Sequence, residues 1–417
     1  MKKKLDVMEL AVGMYVAELD RPWLESPFVF QGFFLYSEDE VAQIRSVCKY
    51  VYVDTQKTEE ISSEFYGSET ENHDHLSGGI GLHSVGENTT ESFPGPAVSF
   101  EDEYRQAHSV YSRLHELIYD LYFDIRMGDS INVGRCRELV HDLTASILRN
   151  PDTQIWLARL YSKGEAVAAH SSTVAVFSLV FGAYLRLNIE QLIELGTGAL
   201  LHDIGLLKVS QDVINKPGKL TPAEYQSVQG HALHGRDLLR ASQSVSDDVI
   251  AIAYSHHEAV DGSGYPQRLV GEEIPLYARI VSIVDSYDAM TSRRSYRETI
   301  SPFAALQELY DLRDRRYEAS LVQKFIQCLG IYPVGSLVEL YSGEVGVVMS
   351  NHKSRRLQPA VLLVMDAGKR YLSVPRVVDL KSDNAAGRKE HSVKCVLSST
   401  AYGIDVSRYM EIDKWFK

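Results

Sequence analysis

The sequence is short of cysteine: Cys48, Cys136, Cys328 and Cys395 are the only four in 417 residues, and none stands in CxxC spacing. Neither a disulfide framework nor a thiolate zinc site is indicated. Positive charge is also scarce, with 43 Lys and Arg against 56 Asp and Glu, a net charge of −13. That argues against a general affinity for DNA, RNA or an anionic lipid surface, so a phosphate would have to be met at a local site such as a metal. Long apolar runs are missing as well. The most apolar stretch, VAVFSLVFGAYL at 174–185, is too short for a membrane span and suits a buried helix. The opening MKKKLDVMEL carries Asp6 and Glu9 where an export signal needs an apolar segment, so a cytoplasmic, bacterial-type protein is expected.

What is present suffices for two or three domains, since 45% of the residues are hydrophobic. Residues 1–55 alternate in the manner of strands at GMYVAELDRPW (13–23), FVFQGFFLYS (28–37) and YVYVD (50–54), with a helix predicted in SEDEVAQIRSVC. They read as a small α+β regulatory or interaction domain. Residues 56–98 are rich in Ser, Glu, Gly, Thr and His and read as a flexible acidic linker. Connecting helices are expected over 99–149. The long amphipathic one at 99–125 suits pairing with a second chain, as a homodimer, as well as packing on its own domain. Over 150–331 the pattern stays helical, with helices predicted at 152–162, 165–186, 189–203, 222–241, 245–257, 276–291 and 302–312. Residues 332–417 return to strands at 336–350, 359–366 and 370–380, a small β-rich unit. The expected class is therefore multidomain α+β with a central all-α bundle.

The chemistry-bearing residues concentrate in that bundle: His170, His202, Asp203, His231, His256, His257 and Asp285. His170 interrupts a helix of Ala, Val and Phe. His202–Asp203 and His256–His257 close the apolar runs ELGTGALL and VIAIAYS, and Asp285 sits in RIVSIVDSYDAM. Buried polar groups need partners, and convergence on a metal satisfies them together. The competing reading, that each is a separately hydrogen-bonded core residue, suits any one alone better than it suits adjacent HD and HH pairs. Mixed His and carboxylate ligation without thiols fits Fe, Mn, Ni, Co or Zn. Seven donors exceed the needs of one ion, so two ions sharing a carboxylate is the economical arrangement, one suited to phosphate-ester hydrolysis. After the HH pair, DGSGYP (261–266) must turn, its glycines can offer amides to an anion, and Tyr265 can stack a base. Arg293, Arg294 and Arg297 in SRRSYRE form a local cationic cluster suited either to a phosphate clamp or to a solvated surface.

ALLHDIG, VINKPGKLTPAEYQSVQGH, HHEAVDGSGYP, GEEIPLYARIVSIVDSYDAMTS and RRSYR together resemble an HD-GYP domain, the HD-superfamily branch of bacterial cyclic di-GMP phosphodiesterases. GMYVAELDRPWLESPFVFQGF resembles the small domain of unknown function that often precedes it. The resemblance implies a metal-dependent phosphodiesterase opening cyclic di-GMP to pGpG, and on to GMP in some members. It implies one ion on His170, His202, Asp203 and Asp285. A second would lie on Asp203, His231, His256 and His257, with Asp203 bridging and a hydroxide between the ions as nucleophile. Iron or manganese is the expected pair. Gly264, Tyr265 and Pro266 match the signature that shapes the site and mediates protein contacts, and Arg294 and Arg297 match substrate-contacting positions. Three departures stand out. Leu206 occupies the place of a customary lysine, leaving Lys208 as the nearest candidate for its role. Ala166 replaces a glutamate that holds a third metal in some members, and Gly164 replaces an acidic residue. The alternatives implied are a cyclic di-GMP receptor with little turnover and a phosphodiesterase for 3′,3′-cGAMP.

Overall fold

Strand β4 (Tyr50–Asp54) buries Val51 and Val53 and turns Tyr50, Tyr52 and Asp54 outward, the period-two pattern of a sheet with one covered face. It pairs antiparallel with β1 (Lys2–Asp6) through Leu5↔Val51, and with β2 (Tyr15–Leu19), which in turn pairs with β3 (Phe33–Phe34). The four-stranded order is β1-β4-β2-β3. Val7, Leu10, Val16, Leu35, Ile44 and Val51 form its core. Strand β1 was not expected, because Lys2, Lys3 and Lys4 hide its pattern. The computed structural model describes residues 2–20, 33–35, 41, 42, 44, 45, 48–55, 58, 97–127, 131–161, 166–242, 244–292, 300–351, 358–383, 392–398 and 401–409. Nearly all of the predicted 56–98 linker lies outside them. The chain divides into two units, Met1–Ser92 and Phe93–Lys417.

The second unit is built on helices α1 (Phe100–Met127), α2 (Val133–Arg149), α3 (Pro151–Tyr161), α4 (Ala166–Tyr184) and α5 (Ile189–Leu201). They continue as α6 (Pro222–Gln229), α7 (His231–Ala241), α8 (Asp247–Ser255), α9 (Leu276–Thr291), α10 (Pro302–Asp311) and α11 (Ala319–Leu329). Helix α4 is apolar on all sides and is accordingly enclosed, with α1, α3, α5 and α9 packed around it. Phe177 meets Tyr287 of α9 edge-on at 5.5 Å between ring centres, and Phe181 meets Phe325 of α11 at 5.1 Å. The start of α5 is set by a reciprocal cap between Asn188 and Gln191. No described helix is long and apolar enough to cross a membrane.

Two helical features depart from expectation. The predicted 222–241 helix breaks at Gly230 into α6 and α7, so that His231 opens the second helix. Helix α11 was missed although Leu321, Val322, Phe325, Ile326 and Leu329 recur at helical spacing. In the same unit, five antiparallel strands follow: β5 (Leu337–Leu340), β6 (Val345–Ser350), β7 (Ala360–Met365), β8 (Tyr371–Asp379) and β9 (Val393–Val396). Their order is β8-β7-β6-β5-β9, with β9 unanticipated. The sheet reaches the bundle where the Asn351 amide donates to the Asp152 carboxylate on α3, 3.0 Å away.

Candidate metal centre

A helix end leaves its last carbonyls without backbone donors. Three histidines of this chain stand at helix ends and turn Nδ1 back onto carbonyls three or four residues earlier. His202, just past α5, donates from Nδ1 to the Ala199 carbonyl at 2.7 Å, and His256, just past α8, donates to Ile252 at 3.0 Å. His231, at the break between α6 and α7, donates to Val228 at 2.6 Å. A carbonyl only accepts, so each ring carries its proton on Nδ1 and keeps a lone pair on Nε2.

Two further donors, His170 and Asp285, come from the packing of α4 on α9. His170 Nε2 lies 3.0 Å from Asp285 Oδ1, while its Nδ1 donates to Asp288 Oδ2 at 2.7 Å. Asp288 also accepts from the Ser292 hydroxyl at 2.6 Å and is wholly buried. Sequence reasoning missed Asp288, although its place one helical turn from Asp285 was the available signal. Asp288→Asn is expected to weaken metal retention about 10–100-fold by freeing the His170 ring to rotate. Metal titration of the variant checks this, and wild-type affinity would show that Asp288 does not orient the ring.

All four Nε2 atoms converge on Asp203. Its Oδ2 lies 3.5 Å from His202 and 3.8 Å from His170, whereas Oδ1 lies 3.3 Å from His231 and 3.7 Å from His256. The two carboxylate oxygens thus face different donor sets: His170, His202 and Asp285 on one side, and His231, His256 and His257 on the other. His202 Nε2 is fully buried with no hydrogen-bond partner, and the Nε2 atoms of His231 and His256 face each other at 3.3 Å. Two lone pairs at that distance, and an orphaned buried nitrogen, fit a cation between the rings. The residues present therefore fit divalent metal.

Electrostatics divide that donor set: burial favours neutral rings at His202, His231 and His257, whereas carboxylates favour protonated rings at His170 and His256. Burial lowers the His202 imidazole to about 4, keeping it neutral, and burial also lowers His231 and His257. For His170, burial works downward but the Asp285 and Asp288 carboxylates outweigh it and raise the ring to about 10. His256 is likewise raised by Asp203 against its burial. Asp203 and Asp285 are held well below the carboxylate range, because the surrounding imidazoles outweigh a burial that would raise them.

Asp203 is followed by a 3-10 turn, Ile204–Lys208, laid directly on α7. A Cβ at Gly205 would lie 2.0 Å from the His231 carbonyl oxygen and 2.4 Å from the Gly235 nitrogen. Only glycine permits this backbone approach, which brings His231 to Asp203. Gly264 has the same role in the next loop, where a Cβ would lie 2.3 Å from the Ala259 nitrogen. That loop is anchored by Glu258, a buried residue the sequence reading passed over. Its carboxylate accepts from the amides of Gln267, Arg268 and Leu269 at 2.6, 3.2 and 3.1 Å. The anchoring sets Tyr265 against His257, ring centres 4.8 Å apart. A cavity of about 610 Å³ adjoins the loop, lined by Gln226, Gln229, Leu233, Tyr265, Pro266 and Arg268.

All seven expected ligands are therefore brought together, with Gly264 and Tyr265 beside them. Lys208 is not part of the cluster: it ends the 3-10 turn, exposed, without a hydrogen bond or ion pair to any described residue. Arg294 and Arg297 lie outside the described residues, as does Gly164.

Comparison with known proteins places this geometry in context. A family model described as an HD domain matches residues 158–321, and one described as a domain of unknown function (DUF3391) matches residues 2–136. The cyclic di-GMP phosphodiesterase PA4108 of Pseudomonas aeruginosa is 33% identical over 91% of this chain and 89% of its own length. The cyclic di-GMP phosphodiesterase response regulator RpfG of Xanthomonas campestris is 42% identical over 34% of this chain and 38% of its own. A 3′3′-cGAMP-specific phosphodiesterase of Vibrio cholerae, number 3, is 40% identical over 33% of this chain and 29% of its own.

Proposed function

The chain belongs to the HD-domain family of cyclic di-GMP phosphodiesterases, and from that premise we propose that it hydrolyses cyclic di-GMP to linear pGpG with two divalent ions, iron or manganese. One ion would be held by His170, His202, Asp285 and Asp203 Oδ2, the other by Asp203 Oδ1, His231, His256 and His257. When bound, such a pair supplies Lewis acidity at a phosphoryl oxygen and lowers the pKa of water.

The protein's own residues prepare that chemistry. The Nδ1 bonds to Ala199, Val228 and Ile252 fix three imidazoles as lone-pair donors, so no ring has to reorient. Asp203 and Asp285 offset only part of the charge of two divalent ions, leaving a positive centre complementary to a diester anion. Tyr265, backed by His257, presents a ring suited to a nucleobase. The observation that carries the reading is the division of Asp203: each oxygen faces a separate, complete donor set.

The test is purified protein loaded with Mn²⁺ or Fe²⁺, given cyclic di-GMP or 3′,3′-cGAMP, with products separated by chromatography. Formation of pGpG is expected. Tight cyclic di-GMP binding without product would instead establish a receptor, and turnover confined to 3′,3′-cGAMP would transfer the assignment to that substrate.

A further inference from the structure

A diester anion entering this site meets a chain of net charge −13, and Leu206, beside the metal ligands, is neutral. A second segment of the chain flanks the loop that follows His257. Residues 313–317 run beside that loop. The amide of Val260 donates to the Arg316 carbonyl at 3.3 Å, and that of Asp261 donates to the Arg315 carbonyl at 3.0 Å. The Arg316 amide is itself bonded to the Leu312 carbonyl at 2.9 Å, so both backbone groups of Arg316 are held. Its guanidinium lies 5.7 Å from the centre of the Tyr317 ring, and the Tyr317 hydroxyl donates to Ser286, the neighbour of Asp285, at 2.6 Å. On the other side, the Tyr265 amide donates to the His257 carbonyl at 3.2 Å.

We propose that Arg316 is a substrate-binding residue that grips a phosphate of the cyclic dinucleotide at the rim of the metal centre, held there by the tie between residues 313–317 and the turn after His257. The inference rests on the phosphodiesterase reading above. Arg316 is exposed and makes no ion pair with a described residue, so its charge is available.

The neighbouring Arg315 is differently placed: its charge falls on Asp261, whose carboxyl is held low first by Ser263 and further by Arg315. Arginine suits the role because its planar fork matches two phosphate oxygens.

Steady-state kinetics of Arg316→Ala, Arg316→Lys and Arg315→Ala holoproteins on cyclic di-GMP and on bis(p-nitrophenyl) phosphate test this, alongside metal content and calorimetric titration with inorganic phosphate. Arg316→Ala is expected to raise KM about tenfold on both diesters and to weaken phosphate binding comparably, since a charge-assisted bond at an exposed rim sits at the low end of its range. Metal content should not change, Arg316→Lys should recover part of the loss, and Arg315→Ala should shift KM less than about twofold. Unchanged KM and phosphate affinity in Arg316→Ala would overturn the proposal, as would an equal loss in Arg315→Ala. A wild type that cleaves the small diester but not cyclic di-GMP would refute the substrate reading alone, while the phosphate arms still decide the role of Arg316.

Discussion

Asp203→Ala is expected to lower kcat/KM at least about 10³-fold, equivalent to about 4 kcal/mol of transition-state stabilisation. The reason lies in the two-sided use of one carboxylate. Oδ2 completes the set containing His170 and His202, and Oδ1 completes the set containing His231 and His256. Removing it leaves both sets a donor short and removes the charge that drew them together. Asp203→Asn separates shape from charge: it preserves the volume but offers only one oxygen acceptor. Both variants should be depleted of metal by elemental analysis, with far-ultraviolet circular dichroism unchanged. Full metal occupancy in Asp203→Asn would show that the carboxylate does not hold the two sets together.

A second large effect is expected from Gly205→Ala, a change of one methyl group outside the donor set. The new Cβ would lie 2.0 Å from the His231 carbonyl oxygen, where ordinary contact begins at 3.4 Å, so the turn and α7 must separate by more than 1 Å. Displacement on that scale costs about 10² in rate when it moves a reacting group. The loss should fall on the His231 side, so the variant should retain one tightly held ion per chain and bind the second weakly. Overpacking adds a stability cost of about 1–3 kcal/mol, visible as a lower denaturation midpoint. Wild-type activity and two ions per chain in Gly205→Ala would falsify the close backbone contact.

Gly205 also shows how far a sequence carries. The stretch LHDIGLLK presents His202 and Asp203 as an imidazole and carboxylate at the end of an apolar helix, and nothing in the stretch says what Gly205 touches. Its need for a bare Cα arises from α7, a separate helix whose first residue lies twenty-six positions on. Asp288 and Glu258 were passed over for the same reason. A buried carboxylate looks like any other until the His170 ring or the three amides of residues 267–269 are seen in front of it. Arg316 lies in a segment with no motif of its own, and only its pairing with Val260 brings it to the site.

Local chemistry alone pointed to the helical middle, the two flanking β-containing regions and the seven His and Asp side chains that the fold gathers. Helical periodicity, apolar density and the cost of burying a polar ring are properties of neighbouring residues, and they can be read in order along the chain. The lysines of β1 and the break at Gly230 obscured that signal where local pattern and tertiary packing disagreed. The division of Asp203 between two donor sets, the anchoring of the His170 ring by Asp288 and the fixed place of Arg316 were decided only by tertiary structure. Each depends on which carbonyl, ring or amide a distant segment presents, and such facing relations are created when α4, α5, α7, α8 and α9 pack together.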